Sequence, residues 1–553
     1  MNTQDLAVHD AERQALGRAD LWIPSDPVPP GNLHPRGIAM TVLTTAAALL
    51  ASAVLLVGCA SPGSVKPAAT MLEADTLGTA SAGTPWPAAS WWSHFGDAQL
   101  DRLIEQSLAG QPTLRIAQAR LQQAEAQSDV TGAARGPQLN ASVDLTNQRF
   151  TENGMVPAPL AGATRWNNSA QFGASWELDL FGRQRAALDA AVGQFRAAQA
   201  DAQAARLLLA GNVAAGYFNV ARLVEARAVA AQSLQQREQV LSLVRQRSDA
   251  GLDSQVELRQ AEGLIAQSRV ELESLDEAIG RARHALAELS GQGPQALDAL
   301  SPQLTRVQSQ PLPAGLPADL LGRRADLVAQ RWRVEAALRD VDVARAQFYP
   351  NINLVAFVGL SSIGLDRFIE AGSLTYGAGP AIRLPIFDGG RLRANLGARS
   401  AEADAAVEGY NAALLRGLRE VADELTSLRS IERQQLAQAD ATAAADAAYD
   451  LALQRYRAGL GNFLVVLTAQ TNVLTQRRAS TELKARHLAS EVALSRALGG
   501  GYEAGADALP AAPAASPMPA VASAAQSRAV HTSASAIVAM PHPVQTTPAV
   551  AAR

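Results

Sequence analysis

The 553-residue chain has one cysteine, Cys59, and two lysines, Lys66 and Lys484. A single cysteine excludes an internal disulfide framework and any cysteine-rich zinc site. Neither lysine follows a glycine in a phosphate-binding loop, so there is no P-loop and no means of drawing energy from a nucleotide. The seven histidines, His9, His34, His94, His284, His487, His531 and His542, are scattered without metal-ligand spacing. No metal is expected. Excess charge is also missing: 48 Lys and Arg against 52 Asp and Glu leave a net charge of -4. No basic run interleaved with aromatics exists, which sets nucleic acid aside. GLSSIG at Gly359 is one residue too long for a nucleophile elbow and reads as a loop after a strand. An enzyme is therefore not expected, and no cofactor is called for beyond a covalent lipid.

What the chain does have begins with one long apolar run. IAMTVLTTAAALLASAVLLV, Ile38 to Val57, follows Arg36 and runs into Gly58, Cys59, Ala60 and Ser61. This resembles a bacterial lipoprotein signal, in which cleavage precedes the cysteine and palmitate-type acyl chains tether the mature protein to a membrane. A signal-anchor helix is the alternative, because about 20 apolar residues also span a bilayer; Cys59 would then stay free. Residues 1–58 are taken as extension and signal peptide, with a start codon placed too early accounting for polar residues 1–35. Residues 59–87 read as a lipidated linker and 501–553 as a disordered Ala/Pro-rich tail.

Between them lies a duplication. GPQLN at Gly136 matches YPNIN at Tyr349, LFGR at Leu180 matches IFDGGR at Ile386, and AGL at Ala250 matches AGL at Ala458. The offsets are 213, 206 and 208 residues, with order kept. The first repeat covers 88–300: a helix over Leu100–Gly132, strands near 137–146 and 168–180, and a helical hairpin turning near 248–254. The second covers 301–500, with a helix over Ala325–Phe348, strands near 351–360 and 374–386, and a turn near 456–462. In NNSAQFGASWELDL, Ala170, Phe172, Ala174, Trp176, Leu178 and Leu180 alternate with polar or small residues, which makes one face apolar. Proline is absent from Gly182 to Gly293 and from Ile386 to Leu509, and Leu258, Ile265, Leu272, Ile279 and Leu286 fall at successive sevens. That is coiled-coil spacing. A continuous helix from Gly182 to Gly251 would be roughly 100 Å long.

Alternating segments of this length suit tilted outer-membrane strands. Four strands cannot close a barrel, whereas a trimer supplies twelve. A soluble sheet with one wet face has the same pattern; the signal and the duplicated hairpins favour the membrane. The expected fold is therefore an α+β membrane protein: an outer-membrane β-barrel, four strands per protomer, continued by a long periplasmic coiled-coil barrel, with internal duplication.

WWSHFGDAQLDRL (Trp91–Leu103), SWELDLFGR (Ser175–Arg183), ARAQFYPNINL (Ala344–Leu354) and RYRAGL (Arg455–Leu460) stand in that order. Together they resemble the TolC-like outer-membrane factors, most closely their NodT/OprM-type lipoproteins. The resemblance implies a homotrimer in the outer membrane that docks through a periplasmic adaptor onto an inner-membrane pump of the RND type. It implies a passive duct for drugs or small toxic compounds; a duct for type I protein secretion is the nearest alternative, and a periplasmic coiled-coil adaptor or scaffold lipoprotein the alternative of another class. It also implies that Arg247, Gly251, Asp253, Ser254, Glu257, Arg455, Tyr456, Gly459 and Val465 form the periplasmic tips and aperture. Glu257 has two readings, a constriction carboxylate or the partner of Ser254 in an S-x-x-E capping box. Tyr456 matches a tyrosine that ties hairpins together, or is a packing aromatic. Val465 and Thr468 stand where a family member carries aspartates, so a partly apolar constriction is expected. Glu177 and Asp179, on the polar strand face, are assigned to the barrel lumen, with a bridge to Arg183 or Arg185 as the alternative. Trp91 and Trp92 read as packing residues.

Overall fold

The computed structural model describes residues 61–72, 87–304 and 323–502; Cys59, the signal segment and the tail beyond residue 502 lie outside them. After a 3-10 turn at Trp91–Phe95 come α1 (Ala98–Gly110), α2 (Pro112–Ala133), β1 (Gln138–Arg149), β2 (Thr164–Leu178), α3 (Arg183–Asp249) and α4 (Gln255–Leu289). The second half supplies α5 (Ala325–Ala346), β3 (Asn351–Ile363), β4 (Leu374–Arg383), α6 (Arg391–Arg457) and α7 (Phe463–Ala497). The duplication is metrical: α3 and α6 have 67 residues each, α4 and α7 have 35 each. Each longer helix runs about 100 Å at 1.5 Å per residue.

Three sequence expectations need correction. The helix expected over Leu100–Gly132 is two helices, α1 and α2, because Pro112 lacks an amide proton to continue the first and serves instead as the opening residue of the second. Gln111, at the break, donates from Nε2 to the Glu288 and Leu289 carbonyls at 2.9 and 3.0 Å and so closes the end of α4. Asp179 and Leu180 lie beyond β2, and Leu384, Pro385 and Ile386 beyond β4. Aspartates at these exits turn to the helix starts: Asp179 accepts from the Gln184 and Arg185 amides at 3.1 and 2.7 Å, and Asp388 from the Gly390 and Leu392 amides at 3.0 and 2.7 Å. Finally, β3 runs to Ile363, so most of GLSSIG is strand rather than loop.

The strands form one antiparallel sheet in the order β1-β2-β3-β4, with β1 and β4 as edges. Register fixes its two faces, because side chains alternate with period two. Val143, Ala170, Leu360 and Leu374 stand side by side, as do Ala141, Phe172, Val358 and Tyr376. The next rows on that face join Leu139, Ala174, Ala356 and Ala378, then Trp176, Leu354 and Pro380. The opposite face carries Asn140, Ser142, Asp144, Gln171, Ser175, Glu177, Asn353 and Arg383, though Val355 and Phe357 interrupt it. Trp166 and Trp176, ten residues apart on the apolar face, bracket it as an aromatic girdle would. Val143, Phe172 and Tyr376 are exposed, so nothing among the described residues covers this face.

The interior lies among the helices. Trp91, Trp92 and Phe95 are buried with Leu100, Ile104, Tyr217, Phe218 and Leu488, which makes both tryptophans packing residues. A second cluster near the hairpin turns joins Val240, Val244, Ile265, Tyr449, Tyr456, Phe463 and Val466. Between α3 and α5 the approach is close: a Cβ on Gly193 would stand 3.0 Å from the Ala336 Cβ.

Placing a guanidinium on the apolar face by Val143→Arg is expected to cost about 2–4 kcal/mol if that position is near the bilayer midplane. Ser142→Arg, one residue away on the polar face, is expected to leave stability nearly unchanged. Urea unfolding of the two variants in lipid or detergent checks the difference.

Candidate functional site

The two AGL breaks are the same turn built twice. At the end of α3, Gly251 takes φ +72°, and the Leu252 amide reaches back to the Arg247 carbonyl at 2.8 Å; at the end of α6, Gly459 takes φ +75°, and the Leu460 amide reaches the Arg455 carbonyl at 2.8 Å. Only glycine adopts such a φ without strain, and the six-residue bond closes the helix end. Each turn leads directly into a capped helix. Ser254 Oγ accepts from the Val256 amide at 3.1 Å, and the Glu257 carboxylate accepts from the Ser254 amide at 3.0 Å, completing a capping box. Asn462 Oδ1 accepts from the Val465 amide at 3.1 Å.

The hairpins are tied where they turn. Arg247 donates through Nε and Nη2 to the two carboxylate oxygens of Asp253 at 3.0 and 3.2 Å, and through Nη1 to the Tyr456 carbonyl at 3.2 Å. Its guanidinium lies 4.6 Å from the centre of the Tyr456 ring, within cation-π range. The Tyr456 hydroxyl donates in turn to the Asp253 carboxylate. Tyr456 is fully buried, and the side chains of Arg247 and Asp253 are 14% and 10% exposed. Burial alone would raise the Asp253 carboxyl, but hydrogen bonds from Arg247 and Tyr456, with the Arg247 charge, hold it below the ordinary aspartate value. Burial and the Asp253 carboxylate push the Tyr456 hydroxyl well above the usual tyrosine range, so it remains a donor.

Of the residues assigned to the tips, the structure brings Arg247, Asp253 and Tyr456 together, and pairs Ser254 with Glu257. The Glu257 carboxyl is held below its ordinary value, first by the Ser254 hydroxyl. Val465 is exposed in the first turn of α7, and Arg455 enters through its carbonyl alone among the contacts above. Asn462 was missed; an Asn before an apolar run was the available signal. At the other end of α3, Arg183 holds Glu177 through Nε at 3.1 Å and Nη2 at 2.7 and 2.6 Å. Glu177 is on the polar face, and Asp179 caps the helix. Among the described residues no group of three or more His, Cys, Asp or Glu is arranged to hold a metal.

The family model for outer membrane efflux protein matches residues 103–292 and 316–500. Fusaric acid resistance protein FusA of Burkholderia cepacia is 40% identical over 368 residues, 65% of this chain and 69% of that protein. Multidrug resistance outer membrane protein MdtP of Escherichia coli K12 is 34% identical over 487 residues, 83% of this chain and 96% of its own. Among solved structures, outer membrane protein VceC of Vibrio cholerae superposes with a TM-score of 0.71 at 35% identity, covering 76% of this chain and 100% of that one.

A depressed Asp253 makes the tie pH-dependent in a defined direction: it is fully present above the unfolded aspartate value of about 3.9 and is lost as pH falls through the lower folded value. Protection factors of the amides at residues 250–257 and 456–462, with the intrinsic exchange rate divided out at each pH, are expected to fall as the pH drops below about 3.9, and Asp253→Asn to remove that step. At pH 7, Tyr456→Phe is expected to speed exchange by about tenfold or more, since a hydrogen bond to a charged group contributes about 1.5–3 kcal/mol.

Proposed function

The chain belongs to the outer membrane efflux protein family, and from that premise we propose that three copies close one duct, fixed by acyl chains on Cys59. As a member of that family it is an efflux duct of the outer membrane, a channel protein and not an enzyme. The observation that carries the assembly is the sheet: one apolar face, one mostly polar face and two unpaired edges. In hydrocarbon each unpaired backbone group costs several kcal/mol, so β4 of one copy takes β1 of the next, and three copies give a twelve-stranded barrel with the polar face toward a water-filled lumen.

Internal duplication sets the register of that missing contact to within two residues, since the same offsets carry Gln138↔Ser175 onto Asn351↔Ala381 where Asn351↔Arg383 is observed. The offsets of 206 residues between Phe181 and Phe387 and 213 between Pro137 and Pro350 carry the observed pair Ser175↔Val355 onto Ala381↔Ser142 across the boundary. The same step carries Phe172↔Val358 onto Ala378↔Leu145, both on the apolar face, so facing is conserved around the ring.

At the tips, the Arg247–Asp253–Tyr456 tie holds the two hairpins of one protomer together in the closed aperture. Val465, exposed one turn into α7, lines that aperture, and Glu257 acts first as a helix cap. Glu177 faces the lumen within its ion pair to Arg183, whereas Asp179 serves the start of α3. The turns at Gly251 and Gly459 meet a periplasmic adaptor, which joins the duct to an inner-membrane pump of the RND type; energy comes from that pump. Residues 59–87 are the lipidated linker, and 88–300 and 301–500 are the two repeats. Small toxic compounds are the cargo, in keeping with relatives known by multidrug and fusaric acid resistance.

Two results test this. Cysteines at Ser142 and Ala381 are expected to cross-link the assembled protein into covalent trimers under mild oxidation, whereas a pair shifted by one residue, Val143 with Ala381, is not. Deleting the gene is expected to raise sensitivity to drugs, dyes and detergents; unchanged sensitivity with loss of a secreted protein would overturn the small-molecule assignment.

A further inference from the structure

Where the sheet hands over to the long helices, the three connecting segments border an open-sided cavity of about 460 Å³, within the range of small-molecule sites. Its charges are unbalanced in a specific way. Glu177 is fully engaged by Arg183, and Asp179 by two backbone amides. Arg383, the last residue of β4, and Arg391, the first of α6, also line the cavity, and neither forms an ion pair or side-chain hydrogen bond among the described residues. Asp388, which Arg391 stabilises electrostatically, has its oxygens on the Gly390 and Leu392 amides. Two exposed guanidiniums therefore share a cavity whose carboxylates are already held.

The remaining wall is apolar and flat. Phe181 and Tyr349 stack with ring centres 4.9 Å apart and planes within 10°, and both rings are about half exposed. Of the strand residues in the lining, only Leu178 is on the apolar face. Glu177 stands opposite Asn353, and Asn351 opposite Arg383, all on the polar face. On the three-copy register above, Asn140 or one of its same-face neighbours, Gln138 and Ser142, comes opposite Arg383, and none of them is a counter-charge.

We propose that this cavity is a lumenal station for small aromatic carboxylates on their way out, with Arg383 and Arg391 taking the carboxylate and Phe181 and Tyr349 the ring. The inference rests on the duct reading, with the polar face as lumen, and names the class of cargo. A planar guanidinium matches a carboxylate through paired N–H donors, and a stacked aromatic wall favours a ring over an alkyl chain. Neither part alone explains both halves of the lining.

Ligand-observed NMR titration of purified trimer with benzoate tests it, with benzamide as ring without charge and inorganic phosphate as charge without ring. Saturable benzoate binding is expected. Arg383→Gln or Arg391→Gln should each weaken it about tenfold, in line with loss of a charge-assisted hydrogen bond, and Tyr349→Leu by a few-fold. Benzamide and phosphate should bind the native trimer no better than the arginine variants bind benzoate. Equal benzoate binding by native protein and both arginine variants overturns the site, as does phosphate binding equal to that of benzoate. Conductance in planar bilayers separates the two readings: trimers that conduct but fail the titration overturn this site alone, whereas trimers that never conduct overturn the duct and the transit role with it.

Discussion

Two rows of unpaired backbone groups, along β1 and β4, decide most of what this chain can be. The apolar face built from Val143, Phe172, Val358 and Tyr376 suits hydrocarbon, but hydrocarbon offers nothing to an open N–H or C=O. The two demands are met together only if the edges pair with each other through further copies. Because each strand pair continues through a short capped exit into a helical hairpin, closing the sheet also sets the hairpins in a ring. Asp179 and Asp388 matter here as geometry: by taking the first amides of α3 and α6, they fix the point at which strand becomes helix in both repeats.

The long helices depend on the same arrangement. Their buried positions include many small residues, such as Ala186, Ala190, Gly193, Ala197 and Ala200 along α3, which let helices approach closely but bury little apolar area per residue. α2 has no buried residue at all within one chain. Helices of this kind gain most of their stability from packing rather than from propensity, and a single chain leaves much of that packing unmade.

Much of the fold was legible because it rests on local periodicity. Alternation in NNSAQFGASWELDL marked β2, sevens from Leu258 to Leu286 marked α4, and the paired AGL triplets marked the turns. What escaped were ends and breaks. Pro112 divides what hydropathy presents as one helix, and Asp179 alternates as a strand residue would while its carboxylate serves the next helix. Neither outcome follows from hydropathy, since both turn on where unsatisfied amides fall. The Arg247–Asp253–Tyr456 cluster was indicated only through the family resemblance, which put all three at the tips: Tyr456 stands 203 residues from Asp253 and 209 from Arg247, and charge pairing at that distance carries no sequence period. The S-x-x-E box, by contrast, was readable because a capping box is local.

The cluster nevertheless follows from the duplication once the repeats are compared by position. At an offset of 208, Ser248 corresponds to Tyr456, Asp253 to Gly461, Ser254 to Asn462 and Glu257 to Val465. The positions that stayed alike, the turn glycines and the polar caps, are those that every helix reversal needs. The tie is made where the repeats diverged: a tyrosine in place of a serine on one tip, an aspartate in place of a glycine on the other. Two identical tips could turn the chain, but each would present the same surface, and neither would supply a buried acceptor for the other's hydroxyl. Glu257 and Val465 extend the same asymmetry, since a carboxylate held in a cap and an exposed valine occupy equivalent positions. Divergence at a few tip residues thus builds the tie between the hairpins and leaves an apolar, exposed first turn on α7. On the proposed duct, that difference lets one hairpin anchor the pair while the other faces the opening.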